Sequence, residues 1–434
     1  MKHASIQDPD VMEEYPMAMA ARVGSRFQVQ SPLEAYDFPD KGNIHRDTFL
    51  LSCGRDGSTR EYLLQRINQQ VFTRPWTVMD AMLASLTAQR SSLNRQTLPE
   101  GRKWEVIRLV PTHDGAPYLE CQDRRGTTYW RLMEKIPDCR SFKSLGEVDE
   151  RSGQLSLAEE AGRGLAMYGD FTAEMDVSKL ENPLPGYRDT QLYFDQLLSV
   201  LEGNRTMEDA SSFLPEDATL RHSTQEHFLV HLSDREYQRR KNDPELIPFI
   251  EFTEENQDLA MKLVRARTEG KIRTVGIHGD TKLENFLFSS QTRQVVTLVD
   301  LDTIMPQTWL VDWGDMVRSL TNVAGEIERD VSKIQVDMDV YEAVARGFLS
   351  TAQAVTAEEV ALMVDAVEII ALELGVRFLA DYLRGDNYFQ LGPADPPDLN
   401  KVRALVQLTL VERLRAEADR ARSCIEDTSA TMQK

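Results

Sequence analysis

The sequence predicts an α+β fold of two lobes, in which a small antiparallel β-sheet with one helix precedes a larger, mostly helical lobe. The chain has 434 residues, which is longer than a domain with a single hydrophobic core usually is. Short β-like segments occur up to about residue 136, and helical spacing of apolar residues dominates after Pro137. We therefore predict an N-lobe over 26–136, a C-lobe over 137–434, and a polar, partly disordered extension over 1–25.

The strands of the N-lobe are predicted from short apolar runs between turn residues. The runs at 49–52 and 61–67 flank Gly-Arg-Asp-Gly at 54–57, which predicts a hairpin. Residues 77–93 carry apolar side chains at helical spacing, which predicts the single helix of this lobe. Three further strands are predicted at 104–110, 118–122 and 127–133.

The C-lobe is predicted to be helical except for one β region. Helical spacing occurs in five segments, 158–168, 192–201, 256–268, 357–384 and 399–425. The fourth segment is long enough to contain a break. Apolar β-like runs at 274–277 and 295–299 flank a polar loop, so we expect the chemistry-bearing residues between them.

Composition narrows the classes of function. The formal net charge is −20, with 70 acidic against 50 basic residues, and such a field repels nucleic-acid phosphates and anionic membranes. The four cysteines show no metal-ligand spacing and predict reduced thiols. An acidic N-terminus without an apolar core, and no uncharged apolar run of about 18 residues, predict a cytoplasmic protein with no membrane span.

The sharpest signal is His-Gly-Asp-Thr-Lys-Leu-Glu-Asn at 278–285, followed by a short apolar run and then Asp300-Leu-Asp302. Phosphoryl transfer requires one carboxylate near the acceptor hydroxyl, and an amide oxygen and a second carboxylate for Mg²⁺. We predict Asp280 as the catalytic base and Asn285 with Asp300 as metal ligands. Turn capping by the same residues is the alternative, because Asp and Asn favour turns. The coupled acidic loop favours catalysis.

These motifs resemble the aminoglycoside phosphotransferase and choline kinase superfamily, from about residue 26 onward. Within it the chain resembles the N-acetylhexosamine 1-kinases most, through segments both inside and outside the catalytic loop, at 65–68, 130–133, 280–282, 300–306, 375–379 and 385–389. The resemblance implies a two-lobe protein-kinase-like fold with ATP and Mg²⁺ as cofactors.

The resemblance also assigns nucleotide contacts in the N-lobe. Residues 42–49 occupy the place of the phosphate-covering loop, where the backbone at Gly42 can approach ATP. Arg66 falls where kinases keep the lysine that contacts the α- and β-phosphates, with Asp80 placed to orient it; a solvent-facing strand residue is the alternative. Met133 and Lys135 mark the lobe junction that binds adenine through the backbone.

In the C-lobe the resemblance implies two roles. Asp312 and Asp315 are expected to brace the catalytic loop and to take no part in the chemistry. Arg377 and Tyr388 are expected to contact the acceptor, with the arginine donating to a hydroxyl or acyl oxygen. The alternative is that Arg377 pairs with Glu373 one helical turn away and that Tyr388 belongs to the core.

Three functional hypotheses follow from the sequence. The first is a kinase that phosphorylates the anomeric hydroxyl of an N-acetylhexosamine or a related sugar, so the expected partners are ATP and a small polar substrate. The second is a kinase of another small alcohol, such as an aminoglycoside or choline, for which the acidic composition supplies a rationale. The third is a nucleotide-binding pseudokinase, which the presence of Asp280, Asn285 and Asp300 disfavours.

Overall fold

The computed structural model describes residues 4–7, 16–39, 44–55, 58–95, 97–123 and 126–432. Gly42, assigned above to the phosphate-covering loop, lies outside the described residues, and so do Asp56 and Gly57 of the predicted turn.

The small lobe is a six-stranded sheet with two helices. Its strands are β1 (Ala4–Gln7), β2 (Glu34–Asp37), β3 (Thr48–Arg55), β4 (Ser58–Arg66), β5 (Leu119–Asp123) and β6 (Gly126–Glu134), and its helices are α1 (Pro16–Gly24) and α2 (Pro75–Arg95). The sheet order is β1-β5-β6-β4-β3-β2, with only β1 parallel to its neighbour. Phe49 on β3 and Trp130 on β6 stack in the core with ring centroids 6.4 Å apart. The predicted antiparallel sheet is therefore confirmed, with elements added at its N-terminal side.

The N-terminal segment departs from the prediction of a polar extension. Residues 4–7 pair with β5, and α1 buries Met19, Ala20 and Val23 against the sheet. These three side chains lie on one face of the helix, and burial of such a face stabilises a helix that is short on its own. The expectation of disorder was wrong for residues 16–24, which form α1. Their apolar face spans only nine residues and follows a polar stretch, so the sequence pattern did not indicate a helix.

The predicted strand at 104–110 was also wrong as a strand. The segment is extended, yet it changes partners along its length. The Glu105 amide donates to Val296 of the large lobe at 2.9 Å, whereas the Val110 amide donates to Leu132 of β6 at 2.8 Å. A segment whose hydrogen bonds go to two different strands forms no continuous ladder. It instead links the two lobes.

The large lobe is mostly helical, as predicted. Its helices are α3 (Arg151–Thr172), α4 (Thr190–Glu202), α5 (Ala218–Thr224), α6 (Asp234–Lys241), α7 (Ile247–Glu255), α8 (Gln257–Ala260), α9 (Lys262–Thr268), α10 (Trp309–Thr321), α11 (Met338–Leu349), α12 (Ala357–Ala361), α13 (Met363–Arg384), α14 (Leu399–Ala416) and α15 (Ala418–Met432). Its short strands are β7 (Cys139–Arg140), β8 (Val275–Ile277), β9 (Phe286–Ser289), β10 (Val295–Leu298) and β11 (Met305–Gln307). None of the helices within the described ranges has the length and apolar character needed to cross a bilayer.

The 357–384 segment contains the break that its length allowed, and two helices predicted as continuous are also divided in the structure. The 256–268 segment separates at Met261, the 357–384 segment at Leu362, and the 399–425 segment at Glu417. At the last break the chain turns so that α14 packs on α13 while α15 packs on α11. Apolar residues keep their helical spacing across such a turn, so periodicity alone does not reveal it.

Candidate active site

The loop after β8 carries the predicted catalytic motif and is held from below by Asp312 on α10. Both oxygens of this carboxylate accept backbone amides, from His278 at 2.7 Å and from Gly279 at 2.8 Å. Burial raises the pKa of Asp312 to about 6. Gly279 has φ +88°, and a Cβ there would lie 2.6 Å from the Thr303 carbonyl oxygen. The turn therefore requires glycine, and it aims the next residue, Asp280, into the cleft.

Asp280 and Asn285 are joined within this loop. The Asn285 amide nitrogen donates to the Asp280 carboxylate at 3.0 Å and to the Asp280 carbonyl at 2.8 Å. Both amide hydrogens of Asn285 are thereby used, and its Oδ1 accepts no hydrogen bond among the described residues. The Asp280 side chain is 27% exposed. An accessible carboxylate beside an oriented amide oxygen is what a base and a metal ligand require.

Lys282 is a cation that the sequence analysis did not assign. Its ammonium lies 3.3 Å from Asp280 and 2.8 Å from Glu284. Although burial opposes it, the field of these two carboxylates raises the pKa of Lys282, which stays protonated. A positive charge next to the base can stabilise negative charge that develops on a transferred phosphoryl group.

The hairpin of β9 and β10 brings Asp300 back to the catalytic loop. The Val299 amide donates to the Asn285 carbonyl at 2.8 Å, so the two predicted metal ligands occupy adjacent ends of one hairpin. Asp300 adopts left-handed backbone angles, φ 62° and ψ 55°. This conformation costs a non-glycine residue roughly 1–2 kcal/mol. Such strain persists only where the surroundings impose it.

The two carboxylates of the acidic loop have opposite surroundings. Asp300 opens to solvent and has no ion pair among the described residues, whereas Asp302 is 2% exposed and paired with Arg131 and His45. Desolvation of the carboxyl group by the surrounding protein is the largest cause that raises the pKa of Asp300, to about 6. The negative charges of Asp302 and Asp280 raise this pKa further. Despite burial, Arg131 and His45 hold the pKa of Asp302 below its usual range.

This arrangement fits a divalent cation. The carboxylate of Asp300, in a region of excess negative charge, and the free amide oxygen of Asn285 are hard oxygen ligands of the kind that Mg²⁺ accepts. The structure therefore brings together the three residues that the motif predicted, Asp280, Asn285 and Asp300.

A second brace under the catalytic loop centres on Arg188. Its guanidinium donates to the Gly279 carbonyl at 3.0 Å, pairs with Asp315 at 2.8 Å and reaches Glu373 at 3.4 Å. Asp315 in turn accepts the Thr281 amide at 3.3 Å. Nothing in the local sequence showed that Arg188 is buried. The bracing role expected for Asp312 and Asp315 matches these contacts.

Next to this brace, Arg377 lies inside a ring of aromatic side chains. Its guanidinium carbon is 4.7 to 5.3 Å from four ring centroids, those of Tyr187, Tyr193, Tyr388 and Phe389. The Tyr187 hydroxyl donates to the Gly279 carbonyl at 3.1 Å, so one ring separates Arg377 from the catalytic loop. We call Arg377 and these four rings the arginine cage.

The alternative assignments for Arg377 and Tyr388 were wrong. Glu373 is taken by Arg188 and by the Thr190 hydroxyl at 2.8 Å, so it does not pair with Arg377. Tyr388 is 43% exposed and does not belong to the core. No carboxylate pairs with Arg377 among the described residues, and cation–π contacts offset part of the cost of holding it there.

The segment that presents Tyr388 is fixed by Asp381 on α13. Its carboxylate accepts three successive amides, from Asn387 at 3.1 Å, Tyr388 at 2.9 Å and Phe389 at 2.8 Å. Arg384 adds an ion pair to the same carboxylate at 2.8 Å. The wall of the arginine cage is thus built rigidly, by a residue that the sequence analysis missed.

Of the predicted nucleotide residues in the N-lobe, the structure describes Arg66, Met133 and Lys135. Arg66, at the end of β4, pairs with Asp47 from the predicted phosphate-covering loop, and its side chain is 32% exposed. Asp80, expected to orient it, is exposed on α2. The orienting partner of Arg66 is therefore Asp47, because the chain folds β3 directly against β4.

Met133 and Lys135 occupy the end of β6, where the lobes join. Met133 is half-buried, and Lys135 contacts Glu61 on β4 through both its backbone and its side chain. The Lys135 amide donates to the Glu61 carbonyl at 3.0 Å, and its ammonium pairs with the Glu61 carboxylate at 2.5 Å. An adenine bound at this junction would therefore use backbone groups other than the Lys135 N–H.

A small lobe built on an antiparallel sheet, a mostly helical large lobe and a loop that brings Asp280, Asn285 and Asp300 together are the features of a kinase-like fold. The chain belongs to the phosphotransferase enzyme family called APH, whose family model matches residues 56–394. It is thus an enzyme that transfers a phosphoryl group to a hydroxyl, and the family implies ATP as the donor.

Solved structures of low sequence identity are similar to the chain, and the first one below supports the fold. A microcompartment-associated aminopropanol kinase has a TM-score of 0.52 at 15% identity, over 95% of this chain and 98% of that one. A Plasmodium vivax ethanolamine kinase gives 0.44 at 9% identity, over 86% and 81%. A choline kinase from Streptococcus pneumoniae gives 0.39 at 11% identity, over 94% and 98%. At these identities the likeness concerns fold and not substrate.

Proposed function

We propose that this enzyme is an ATP- and Mg²⁺-dependent kinase of a small neutral sugar, with the anomeric hydroxyl of an N-acetylhexosamine or a related hexose as acceptor. The observation that carries the proposal is the arginine cage. A guanidinium that has no carboxylate partner among the described residues, close to the loop of Asp280, offers hydrogen-bond donors to hydroxyl or acyl oxygens. The aromatic rings around it provide flat apolar faces.

Asp280 would accept the proton of the acceptor hydroxyl as it attacks the γ-phosphorus. Asn285 Oδ1 and the Asp300 carboxylate would hold Mg²⁺, which neutralises charge on the phosphates when bound. Lys282 would stabilise charge on the transferred group from the side of Asp280. Asp312 and Arg188 keep the catalytic loop in place from below.

On the nucleotide side, we propose that Arg66 contacts phosphate oxygens. Its fork of donors suits phosphate, and Asp47 limits its conformations before ATP arrives. Gly42, Met133 and Lys135 remain proposed neighbours of the nucleotide on the resemblance alone.

The second hypothesis, a kinase of an amino alcohol or aminoglycoside, is favoured by the names of the structural neighbours. The arginine cage disfavours it, because a cationic acceptor placed next to Arg377 would meet a like charge rather than a carboxylate. The pseudokinase hypothesis is disfavoured by the joined geometry of Asp280, Asn285 and Asp300.

An acceptor assay tests the sugar proposal. With ATP and Mg²⁺, N-acetylglucosamine or N-acetylgalactosamine should yield a 1-phosphate that no longer reduces alkaline copper, whereas a 6-phosphate would keep its reducing end. Choline, ethanolamine and kanamycin are the comparison acceptors. Turnover of any of these three, with none on free hexoses or hexosamines, would refute the sugar and leave the phosphotransferase assignment standing.

The arginine cage predicts the effect of Arg377→Met. We expect KM for the sugar to rise roughly 10- to 100-fold with KM for ATP unchanged, because a hydrogen bond to a charged group contributes about 1.5–3 kcal/mol. Steady-state kinetics with each substrate varied in turn measures the split. The control is Arg239→Met, which removes a surface arginine that is 61% exposed and pairs within α6. Equal sugar KM values in both variants would remove Arg377 from the acceptor site.

A further inference from the structure

Between the lobes, Asp302 is enclosed by two side chains from the small lobe. Arg131 on β6 forms a bidentate pair with this carboxylate: its Nη1 donates to Oδ1 and its Nη2 donates to Oδ2 at 2.9 Å. His45 Nε2 contacts the same carboxylate. The three side chains are 3–4% exposed. This two-armed geometry is the strongest form of an arginine–carboxylate pair.

Arg131 and His45 are themselves linked through a closed circuit of hydrogen bonds. The Arg131 Nε donates to Gln65 at 3.0 Å, the Gln65 amide donates to Thr48 at 3.1 Å, and the Thr48 hydroxyl donates to the His45 carbonyl at 2.8 Å. Every step lies on β3, β4, β6 or the segment leading into β3. These hydrogen bonds within the small lobe therefore orient the Arg131 guanidinium toward Asp302.

The His45 ring is also held in place by contacts within the small lobe. The Asn68 amide lies 3.2 Å from Nδ1, and the ring stacks on Phe72 with centroids 5.6 Å apart. The Arg66 carbonyl lies at the same distance from Nδ1, and because a carboxylate can only accept, Nε2 carries the hydrogen that faces Asp302. His45 thus donates to Asp302 while it connects to the strand that carries Arg66.

We propose that Arg131 is a positioning residue for the metal site, in that it neutralises and anchors Asp302 so that Asp300 alone presents a free carboxylate in its left-handed conformation. The inference rests on the proposed role of Asp300 as a metal ligand and deepens it. It also means that the small lobe, which covers ATP, is tied directly to the loop that holds the metal.

The structure supports this role through two further contacts of the acidic loop. Downstream of Asp302, the Thr303 hydroxyl donates to the His278 carbonyl at 2.8 Å, and upstream, Val299 is bonded to Asn285. The backbone on both sides of Asp300 is thus held by hydrogen bonds within the large lobe. The Arg131–Asp302 pair adds a contact from the small lobe. Without Arg131, Asp302 would be a buried carboxylate that has lost its main counter-charge, and its movement toward solvent would displace Asp300, two residues away.

The test uses Arg131→Met, Asp302→Asn and the double variant. Mn²⁺ binding in the presence of ADP, followed by the loss of the free Mn²⁺ paramagnetic resonance signal, reports on the metal without turnover. We expect Arg131→Met to weaken Mn²⁺ about tenfold. In the double variant affinity should return to within threefold of the parent, because the uncharged amide of Asp302→Asn can stay buried without a counter-charge and so leaves Asp300 in place. Arg108→Met, which removes an exposed arginine of the neighbouring segment, is the matched control.

The outcomes separate this inference from the proposed function. Unchanged Mn²⁺ affinity in Arg131→Met would overturn the inference, and so would an equal loss in the single and double variants. If Asp300→Ala abolishes Mn²⁺ binding while Arg131→Met does not change it, the metal assignment stands and only the inference fails. Thermal unfolding monitors folding, and Arg131→Lys, which keeps the charge but loses the fork, replaces Arg131→Met if that variant does not fold; it should give an intermediate affinity.

Discussion

Replacing Asp280 with asparagine should lower kcat about 10²–10⁴-fold while leaving the fold and the affinity for ATP nearly unchanged, since loss of a general base typically has this cost. The side chain keeps its shape and its contact with Asn285, but it can no longer accept a proton. Turnover is measured with the best acceptor from the panel, and ATP affinity by calorimetry.

The matched control for this prediction is Asp176→Asn. Asp176 is also a carboxylate paired with a nearby lysine, Lys179 at 2.7 Å, but it lies 54% exposed away from the cleft. We expect parental kcat in the control. A kcat for Asp280→Asn within threefold of the parent would exclude Asp280 as the base.

Removal of either metal ligand should have the next largest effect. In Asp300→Ala and Asn285→Ala we expect weaker binding of Mg²⁺-ATP with metal-free ATP bound as in the parent, because both side chains are proposed as metal ligands and neither is assigned to adenine. Raising the Mg²⁺ concentration should restore part of the activity, since mass action offsets a weaker site.

Calorimetric titration of each variant with ATP, with and without Mg²⁺, checks this expectation. Asp258→Ala is a suitable control, because this carboxylate is 90% exposed on α8. Parental Mg²⁺-ATP affinity in both site variants would show that the metal is held elsewhere. Loss of affinity for metal-free ATP as well would indicate damage to the cleft instead.

The sequence alone determined the chemistry-bearing loop. Asp280 and Asn285 are five residues apart in one turn, and a short hairpin returns the chain to Asp300, so their proximity is set by local geometry. Local periodicity likewise predicted the hairpin of β3 and β4 and the cores of α3 and α4. Patterns of this kind are reliable because the interacting residues lie near each other along the chain.

Only the tertiary structure decided the partners of the buried charges. Arg131 and Asp302 are separated by 171 positions, and nothing near either residue identifies the other. In the same way, Arg188 proved to be a brace for Asp315, and Arg66 paired with Asp47 rather than Asp80.

The physical reason is that a buried charge is unfavourable unless it is paired, and which charges are buried depends on how the lobes pack and not on the local sequence. The same holds for α1, whose short apolar face is stable only against the sheet, and for the breaks that let α14 and α15 pack on different helices. The local sequence thus predicted which residues would carry the reaction, and long-range packing decided which residues hold them in place.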